Sequence, residues 1–184
     1  MVSLDLRLRT DRCTLGCVEE SDLEHVWTAT RHPGFNDGML WDAPSVREEM
    51  AEWTAKTIEL WTEENQYTFT ARTTESGVFV GRLVVRPVEG SNAYRIGFWI
   101  HPTLWNKGYA TELARCALSF AFGELKAETV AVAHAVWNKA SARVIEKLGF
   151  ESCREIAQGF MKRGQWVPEL EYKMTRAEWR RDET

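Results

Sequence analysis

With 184 residues, 44% of them hydrophobic and 27% charged, the chain has the size and balance of one globular domain, which we expect to span residues 1–184. The net charge of −4 and the lack of any basic run longer than two residues argue against a nucleic-acid partner. No apolar run approaches the roughly 20 residues of a membrane span, and no signal-peptide pattern is present, so we expect a cytoplasmic protein without a membrane partner. The four cysteines lack zinc-ligand spacing, which predicts reduced thiols and no metal.

The first third of the chain predicts strand structure followed by two helices. Alternating apolar residues over 3–18 are typical of one long strand or two short ones. Capping boxes at 21–24 and 45–48 predict where the two helices begin. In the second helix, a period near 3.6 places five residues on one face: Val46, Met50, Trp53, Thr57 and Leu60.

The middle of the chain predicts an antiparallel meander followed by a crossover. Alternating segments at 67–72 and 78–86 form a hairpin, and a second turn leads into a strand that ends near Ile100. A helix with an apolar face begins at Gly108, and residues 129–136 read as the next strand. Strand, helix and strand in this order imply a parallel pair joined by a right-handed crossover.

The last third predicts one more helix and a closing hairpin. Asn138 is a typical N-cap residue, and Gly149 is typical of a helix C-terminus. Two further strands at 151–160 and 167–174 flank a turn. The pattern therefore predicts a mixed sheet with flanking helices.

The helix that begins at Gly108 offers a seat for an anion. The first four N–H groups of a helix lack intrahelical partners, and the positive end of the helix dipole favours negative charge. Because Gly108 and Ala110 carry almost no side chain, a phosphate could approach this backbone closely. An ordinary strand–turn–helix connection remains the alternative at this point.

Two blocks of sequence, IGFWIHPTLWNKGYATE at 96–112 and WNKASARVIEKLGF at 137–150, resemble motifs A and B of the GNAT superfamily of acetyl-CoA-dependent N-acetyltransferases. The Asn-x-x-Ser pair and the Glu-Lys-Leu-Gly-Phe run are similar to the branch that contains the ribosomal-protein N-terminal acetyltransferases RimJ and RimL. The resemblance implies an α/β (α+β) fold with a mixed central sheet of about seven strands. It also implies an antiparallel N-terminal meander, splayed parallel central strands and flanking helices.

The resemblance implies that acetyl-CoA, the co-substrate, binds where the central strands splay. The family's pyrophosphate loop, Gln/Arg-x-x-Gly-x-Gly/Ala, falls on 105–110, but Trp105 stands where the family has Gln or Arg, and it supplies no cation. The implied cofactor-binding residues are Trp99, Ile100, Asn106, Lys107, Gly108, Tyr109, Ala110, Thr111, Asn138 and Ser141.

Acetyl transfer to an amine requires a proton acceptor, a donor that stabilises the thioester oxygen and a donor for the departing thiolate. In the branch that this chain resembles, the implied thiolate donor is Ser141, and a backbone N–H near Trp99 or Ile100 could bind the oxygen. The branch's catalytic glutamate aligns with Phe160. His134 and Glu155 are therefore the candidate bases, and direct loss of the amine proton to water is the alternative.

The acceptor is a primary amine, for which a peptide or protein α-amine ranks ahead of a small-molecule amine such as a polyamine. Trp41, in the loop between the first two helices, is the candidate residue for the acceptor pocket. A non-catalytic acetyl-CoA-binding sensor or scaffold is the competing hypothesis, favoured by Trp105 and the missing glutamate. The oligomeric state stays open, with a homodimer as one option.

Overall fold

The computed structural model describes residues 2–182, with side chains at all of these positions except 152, 153 and 180–182. Within that range an eight-stranded mixed sheet has the order β1-β2-β3-β4-β5-β6-β8-β7. The strands are β1 (Leu8–Arg9), β2 (Cys13–Cys17), β3 (Tyr67–Thr73), β4 (Phe79–Val88), β5 (Ala93–Ile100), β6 (Thr129–Ala135), β7 (Ser152–Lys162) and β8 (Gln165–Thr175). The helices are α1 (Leu23–Arg31), α2 (Glu49–Thr62), α3 (Tyr109–Gly123), α4 (Lys139–Lys147) and α5 (Arg176–Asp182).

The predicted mixed sheet with an antiparallel meander is confirmed. Strands β3, β4 and β5 pair in sequence order, with Phe69 opposite Leu83 and Leu83 opposite Phe98. The sheet has eight strands rather than about seven, because the N-terminal segment turns back on itself. The Thr10 amide donates to the Cys13 carbonyl at 2.9 Å, which divides that segment into β1 and β2.

The two parallel strands separate soon after they meet. Strands β5 and β6 pair over only three positions, from Ala93 opposite Thr129 to Arg95 opposite Ala131. Beyond Arg95 the remaining residues of β5 pair only with β4 among the described residues, up to Ile100 opposite Gly81. A gap therefore opens in the centre of the sheet, as the resemblance implies.

Each face of the sheet carries its own core. Helix α3 packs its apolar side, with Leu113, Ala117 and Leu118, against even-numbered residues of β5 and β6 such as Ile96 and Val130. On the other face, α1 and α2 pack against Phe79 and Trp99 together with Val26, Ala29, Phe35 and Met50. Even-numbered positions of β5 therefore face α3, and odd-numbered positions face α1.

The two predicted helix starts are displaced. A short 3-10 turn over Glu20–Asp22 precedes α1, and the capping box joins Glu19 to Asp22, whose Oδ2 accepts the Glu19 N–H at 3.0 Å. Asp22 is 1% exposed, and Thr70 and Arg72 bind its carboxylate, so the capping box lies two residues earlier than the sequence indicated.

Helix α2 also begins later than predicted, at Glu49. The Glu49 carboxylate accepts the Ser45 N–H at 3.2 Å, so a turn forms where the first helical turn was expected. Of the predicted apolar face, Met50 is buried, whereas Val46 and Trp53 are 49% and 41% exposed, so the prediction is wrong at those two positions. The buried residues of α2 are Met50, Thr54 and Trp61.

The helix at the C-terminus was not predicted. Trp179 of α5 stacks on Phe122 of α3, with ring centroids 6.0 Å apart. Arg176 fixes the start of α5 by donating to the carbonyls of Phe122 at 2.8 Å and Ala127 at 2.6 Å. Across residues 2–182, none of the helices combines the length and the apolar character that a bilayer span requires.

Candidate active site

The loop before α3 has the geometry of an anion seat. Gly108 is the N-cap residue of α3 and has φ +84°, a conformation that favours glycine because a side chain there is strained. Asn106 also has a positive φ, of 62°. The loop thus turns sharply into α3 and leaves the first amides of that helix without intrahelical acceptors.

Trp105 connects this loop to the end of β5. Its indole Nε1 donates to the Ile100 carbonyl at 2.8 Å, while 38% of the side chain remains exposed. The bulky residue that departs from the family pattern therefore closes the loop through a hydrogen bond. Access to the amides at the start of α3 is therefore beside Gly108, which carries no side chain.

Arg12, from the N-terminal segment, brings a positive charge to the same loop. Its Nη1 donates to the Lys107 carbonyl at 3.0 Å, and its guanidinium carbon lies 4.1 Å from the centre of the Tyr109 ring. A Cβ built on Gly108 would lie 3.6 Å from Arg12 Nη2. This positive charge lies where Trp105 supplies none, and the sequence analysis missed it.

Glu112 holds Arg12 in this position. Its Oε2 lies 2.6 Å from Arg12 Nη2 and 2.7 Å from Nε, and its other oxygen accepts the Thr10 hydroxyl at 2.5 Å. Partial burial acts to raise the pKa of Glu112, but the hydrogen bonds from Thr10 and Arg12 prevail and lower it. The carboxylate is therefore ionised at neutral pH.

One cleft of about 510 Å³ gathers all of the predicted cofactor-binding residues. It lies between β5, the loop before α3, the start of α4 and the loop that follows α1. Its lining includes Trp99, Ile100, Asn106, Lys107, Gly108, Tyr109, Ala110, Thr111, Asn138 and Ser141. The two sequence blocks, 96–112 and 137–150, thus face each other across one space.

Helix α4 presents Ser141 to this cleft. The Asn138 Oδ1 accepts the Ser141 N–H at 3.1 Å, which makes Asn138 the N-cap of α4. Because Asn138 caps the helix, the Ser141 hydroxyl is not required for capping. A Cβ built on Gly38 would lie 3.0 Å from Asn138 Nδ2, so this glycine lets the loop after α1 approach the cap closely.

Lys162 holds the same loop against the hairpin formed by β7 and β8. Its ammonium group donates to the carbonyls of Asn36 and Met39, the latter at 2.8 Å. Burial lowers the pKa of Lys162. This contact fixes the wall of the cleft that Gly38 and Met39 form.

The register of β5 distinguishes the two predicted oxyanion donors. The His101 amide donates to the Val80 carbonyl at 2.8 Å, so alternation directs the Trp99 amide toward β4 as well. The amides of Phe98 and Ile100 point the other way, into the gap. Of the predicted pair, only Ile100 therefore offers its N–H to the cleft.

The candidate bases His134 and Glu155 lie outside the lining of the cleft. His134 is 5% exposed and stacks on Tyr172, with ring centroids 5.6 Å apart. Its Nδ1 lies 2.8 Å from the Ala135 carbonyl. Its buried Nε2 has no hydrogen-bond partner among the described residues. Glu155 is exposed and pairs with Leu170 at the edge of the sheet. The acceptor candidate Trp41 packs between Phe35 and Trp53, at ring distances of 6.2 and 5.9 Å.

Comparison with known proteins agrees with this geometry. The model of the acetyltransferase (GNAT) domain family matches residues 12–151. The chain belongs to the GNAT acetyltransferase family. It is 27% identical over 166 residues to the uncharacterized protein YkkB of Bacillus subtilis (strain 168), covering 82% of this chain and 88% of that protein.

Solved structures share the GNAT fold across nearly the whole chain. The ribosomal-protein-S5-alanine acetyltransferase from Vibrio fischeri superposes with a TM-score of 0.77 at 15% identity, covering 95% of this chain and 99% of the other. The spermidine N-acetyltransferase from Vibrio cholerae, in complex with CoA and spermine, has a TM-score of 0.78 at 17% identity and covers 91% and 97%. Like other GNAT enzymes, the chain is an acetyl-CoA-dependent acetyltransferase that acts on an amine.

This GNAT domain carries a buried carboxylate that the sequence analysis did not select. Glu169 of β8 is 2% exposed, and burial raises its pKa. It lies opposite Ala135 and faces the α1 side of the sheet, as do Phe160 and Val167. A bulge in β7 makes room for it, because a Cβ on Gly159 would lie 2.4 Å from Glu169 Cγ. The sequence did contain a signal for this carboxylate, because Glu169 and Glu171 occupy alternate positions of a predicted strand and therefore share one face of the sheet.

Proposed function

We propose that this protein transfers the acetyl group of acetyl-CoA directly to the α-amine of a peptide or protein. The observation that carries the proposal is the gap between β5 and β6, where the two parallel strands cease to pair after Arg95. On one side lies the cleft with Gly108 and Ser141. On the other, a Cβ on Gly97 would meet no atom within 4 Å, so the space above this residue is open.

The residues of the cleft fit the parts of acetyl-CoA. The α3 amides near Gly108, with Arg12 beside them, suit the pyrophosphate. Asn138 lines the same cleft, where it would contact the pantetheine arm. The bound co-substrate supplies an activated acetyl thioester.

Three groups of this chain would then act on the reaction. The Ile100 amide, directed into the gap, donates to the oxygen on which negative charge develops. The Ser141 hydroxyl donates to the departing thiolate. Glu169, whose raised pKa reflects burial, accepts the proton of the attacking amine in place of the glutamate that Phe160 replaces.

The acceptor is assayed directly. Purified protein is incubated with acetyl-CoA and each of three acceptors: a peptide with a free α-amine, the same peptide with a blocked α-amine and one lysine, and spermidine. Mass spectrometry detects the acetylated product. We expect the peptide with the free α-amine to be acetylated faster than the other two acceptors. Product from spermidine alone would favour the small-molecule alternative. CoA binding without any acetylated product would favour the sensor or scaffold hypothesis. The cytoplasmic location stays a prediction from the sequence.

A further inference from the structure

The face of the sheet that points toward α1 carries more positive than negative charge near the gap. Around the open space above Gly97 lie Arg86 and Arg95, which are directly opposite each other on β4 and β5. Two further basic side chains, Arg154 and Lys173, reach the same face from β7 and β8. The carboxylates there belong to Glu169 and Glu171.

Glu171 is shared by three of these four cations. The Arg95 guanidinium contacts it directly, and the Arg154 and Lys173 nitrogens lie 3.7 Å from its Oε1. The carboxylate itself is 8% exposed. The negative charge of Glu171 is therefore already paired with these three cations.

Arg86 makes no such direct contact with a carboxylate among the described residues. Among the described residues its guanidinium makes no hydrogen bond and no ion pair, although the side chain is only partly exposed. Burial lowers the pKa of Arg86 and the nearby charge of Arg95 lowers it further, while the charge of Glu169 acts in the opposite direction. Two arginines side by side in a half-buried site are a favourable place for a bound carboxylate.

We propose that Arg86 binds a carboxylate of the acceptor, so that the substrate is an amine that also carries an acidic group. This inference rests on the proposed function. The amine lies above Gly97, between Glu169 and the gap, and the acidic group lies above Arg86. A polyamine would place a second positive charge beside Arg86 and Arg95, which disfavours it.

The spacing indicates where the acidic group lies on the acceptor. Arg95 and Gly97 are two positions apart on β5, which corresponds to about 7 Å. Consecutive Cα atoms of a peptide are about 3.8 Å apart. An aspartate or glutamate at the second or third residue of a peptide therefore reaches Arg86 when the α-amine is above Gly97.

The test compares acceptors that differ only in charge. Peptides that begin Ser-Asp, Ser-Asn and Ser-Lys and are otherwise identical, together with free glutamate, are assayed with the wild-type protein and with Arg86→Gln. We expect kcat/KM for the Ser-Asp peptide to exceed that for Ser-Asn by roughly tenfold to a hundredfold, the usual range for a charge-assisted hydrogen bond. Activity on free glutamate alone would assign the acidic group to a small molecule.

Two variants and one binding measurement separate the possible outcomes. Arg86→Gln should remove the preference for Ser-Asp, Arg86→Glu should reverse it toward Ser-Lys, and Arg115→Gln, on the exposed side of α3, should leave it unchanged. Peptide binding to the CoA complex is measured by calorimetry, so the preference is visible even without turnover. Equal turnover and equal binding of the Ser-Asp and Ser-Asn peptides, or no binding of either, would overturn the inference about Arg86. Turnover of both peptides without a charge preference would overturn that inference but would still support the proposed function.

Discussion

The carboxylate of Glu112 binds the guanidinium of Arg12 at 2.6 and 2.7 Å, although the two residues are 100 positions apart in the chain. The pair connects the turn before β2 to the first turn of α3. Arg12 in turn donates to the Lys107 carbonyl, so the pair determines the shape of the anion-binding loop as well as its charge. Arg12, a residue outside the two sequence blocks, thereby supports the function of the loop.

We therefore expect Arg12→Gln to weaken CoA binding about tenfold, because the loop loses both a cation and a hydrogen bond. Glu112→Gln should weaken it less, since the cation remains but is no longer held. Calorimetric titration with CoA measures both effects. Lys56→Gln removes an ion pair with Glu59 on α2, away from the cleft, and serves as the matched control. Unchanged affinity in Arg12→Gln would contradict the assigned role.

Gly108 allows strain and charge to be tested separately. Because its φ is +84°, any side chain should cost about 1–2 kcal/mol in backbone strain, and Gly108→Ala should lower Tm accordingly. Gly108→Glu carries the same strain and adds a negative charge to the anion seat. We expect the glutamate variant to lose CoA binding altogether while remaining folded, whereas the alanine variant still binds. Tight CoA binding by Gly108→Glu would exclude this loop as the phosphate site.

Ser141 faces the cleft without capping α4, so its removal should affect chemistry more than binding. We expect Ser141→Ala to lower kcat by roughly tenfold to a thousandfold and to leave the affinity for acetyl-CoA nearly unchanged. Steady-state kinetics and calorimetry provide the two numbers. Ser45→Ala, in an exposed turn, is the control. Equal losses in kcat and affinity would reassign Ser141 to binding.

Glu169 should affect activity and stability in opposite directions. Burial raises its pKa above that of the unfolded chain, so its stabilising contribution is complete below the unfolded pKa and is lost as pH rises through the folded pKa. At neutral pH, which is above the unfolded pKa, the raised folded pKa therefore makes Glu169 destabilising, and Glu169→Gln should raise Tm there but not in acid. As the proton acceptor it must be ionised, so Glu169→Gln should lower kcat about a hundredfold.

Glu171→Gln is the contrasting variant. Glu171 is bound by Arg95, so its loss leaves a partly buried cation without its partner and should lower Tm. Thermal melts at several pH values and pH profiles of kcat/KM distinguish the two carboxylates. A Glu169→Gln protein with wild-type turnover would show that the amine loses its proton to water.

Lys162 offers a test of the cleft wall. Lys162→Met keeps the aliphatic length of the side chain but removes the donor to Asn36 and Met39. We expect the loop after α1 to loosen, with a several-fold weaker affinity for CoA and faster hydrogen exchange at residues 34–39. Lys126→Met, outside the cleft lining, is the control. Unaltered exchange in the loop would show that other contacts hold it.

The parts of the site that depend on local sequence were predictable. The start of α3 after Gly108 and the cap of α4 at Asn138 follow from residues within one turn of each other. Contacts across the chain were not, because no local pattern relates Arg12 to Glu112 or Arg95 to Glu171. Of the face predicted for the second helix, Met50 is buried but Val46 and Trp53 are exposed. A periodic pattern gives the spacing of apolar residues, whereas tertiary packing determines which of them are buried.

The hydrogen bond from Trp105 to the Ile100 carbonyl places an indole ring at the mouth of the cleft. Indole emission responds to the polarity and the quenchers in its surroundings, so this side chain can report optically on what enters. A Trp105→Phe protein gives the corresponding background from the other tryptophans. The same residue that departs from the family motif thus gives this enzyme a built-in fluorescent probe for ligand titrations, without any added label.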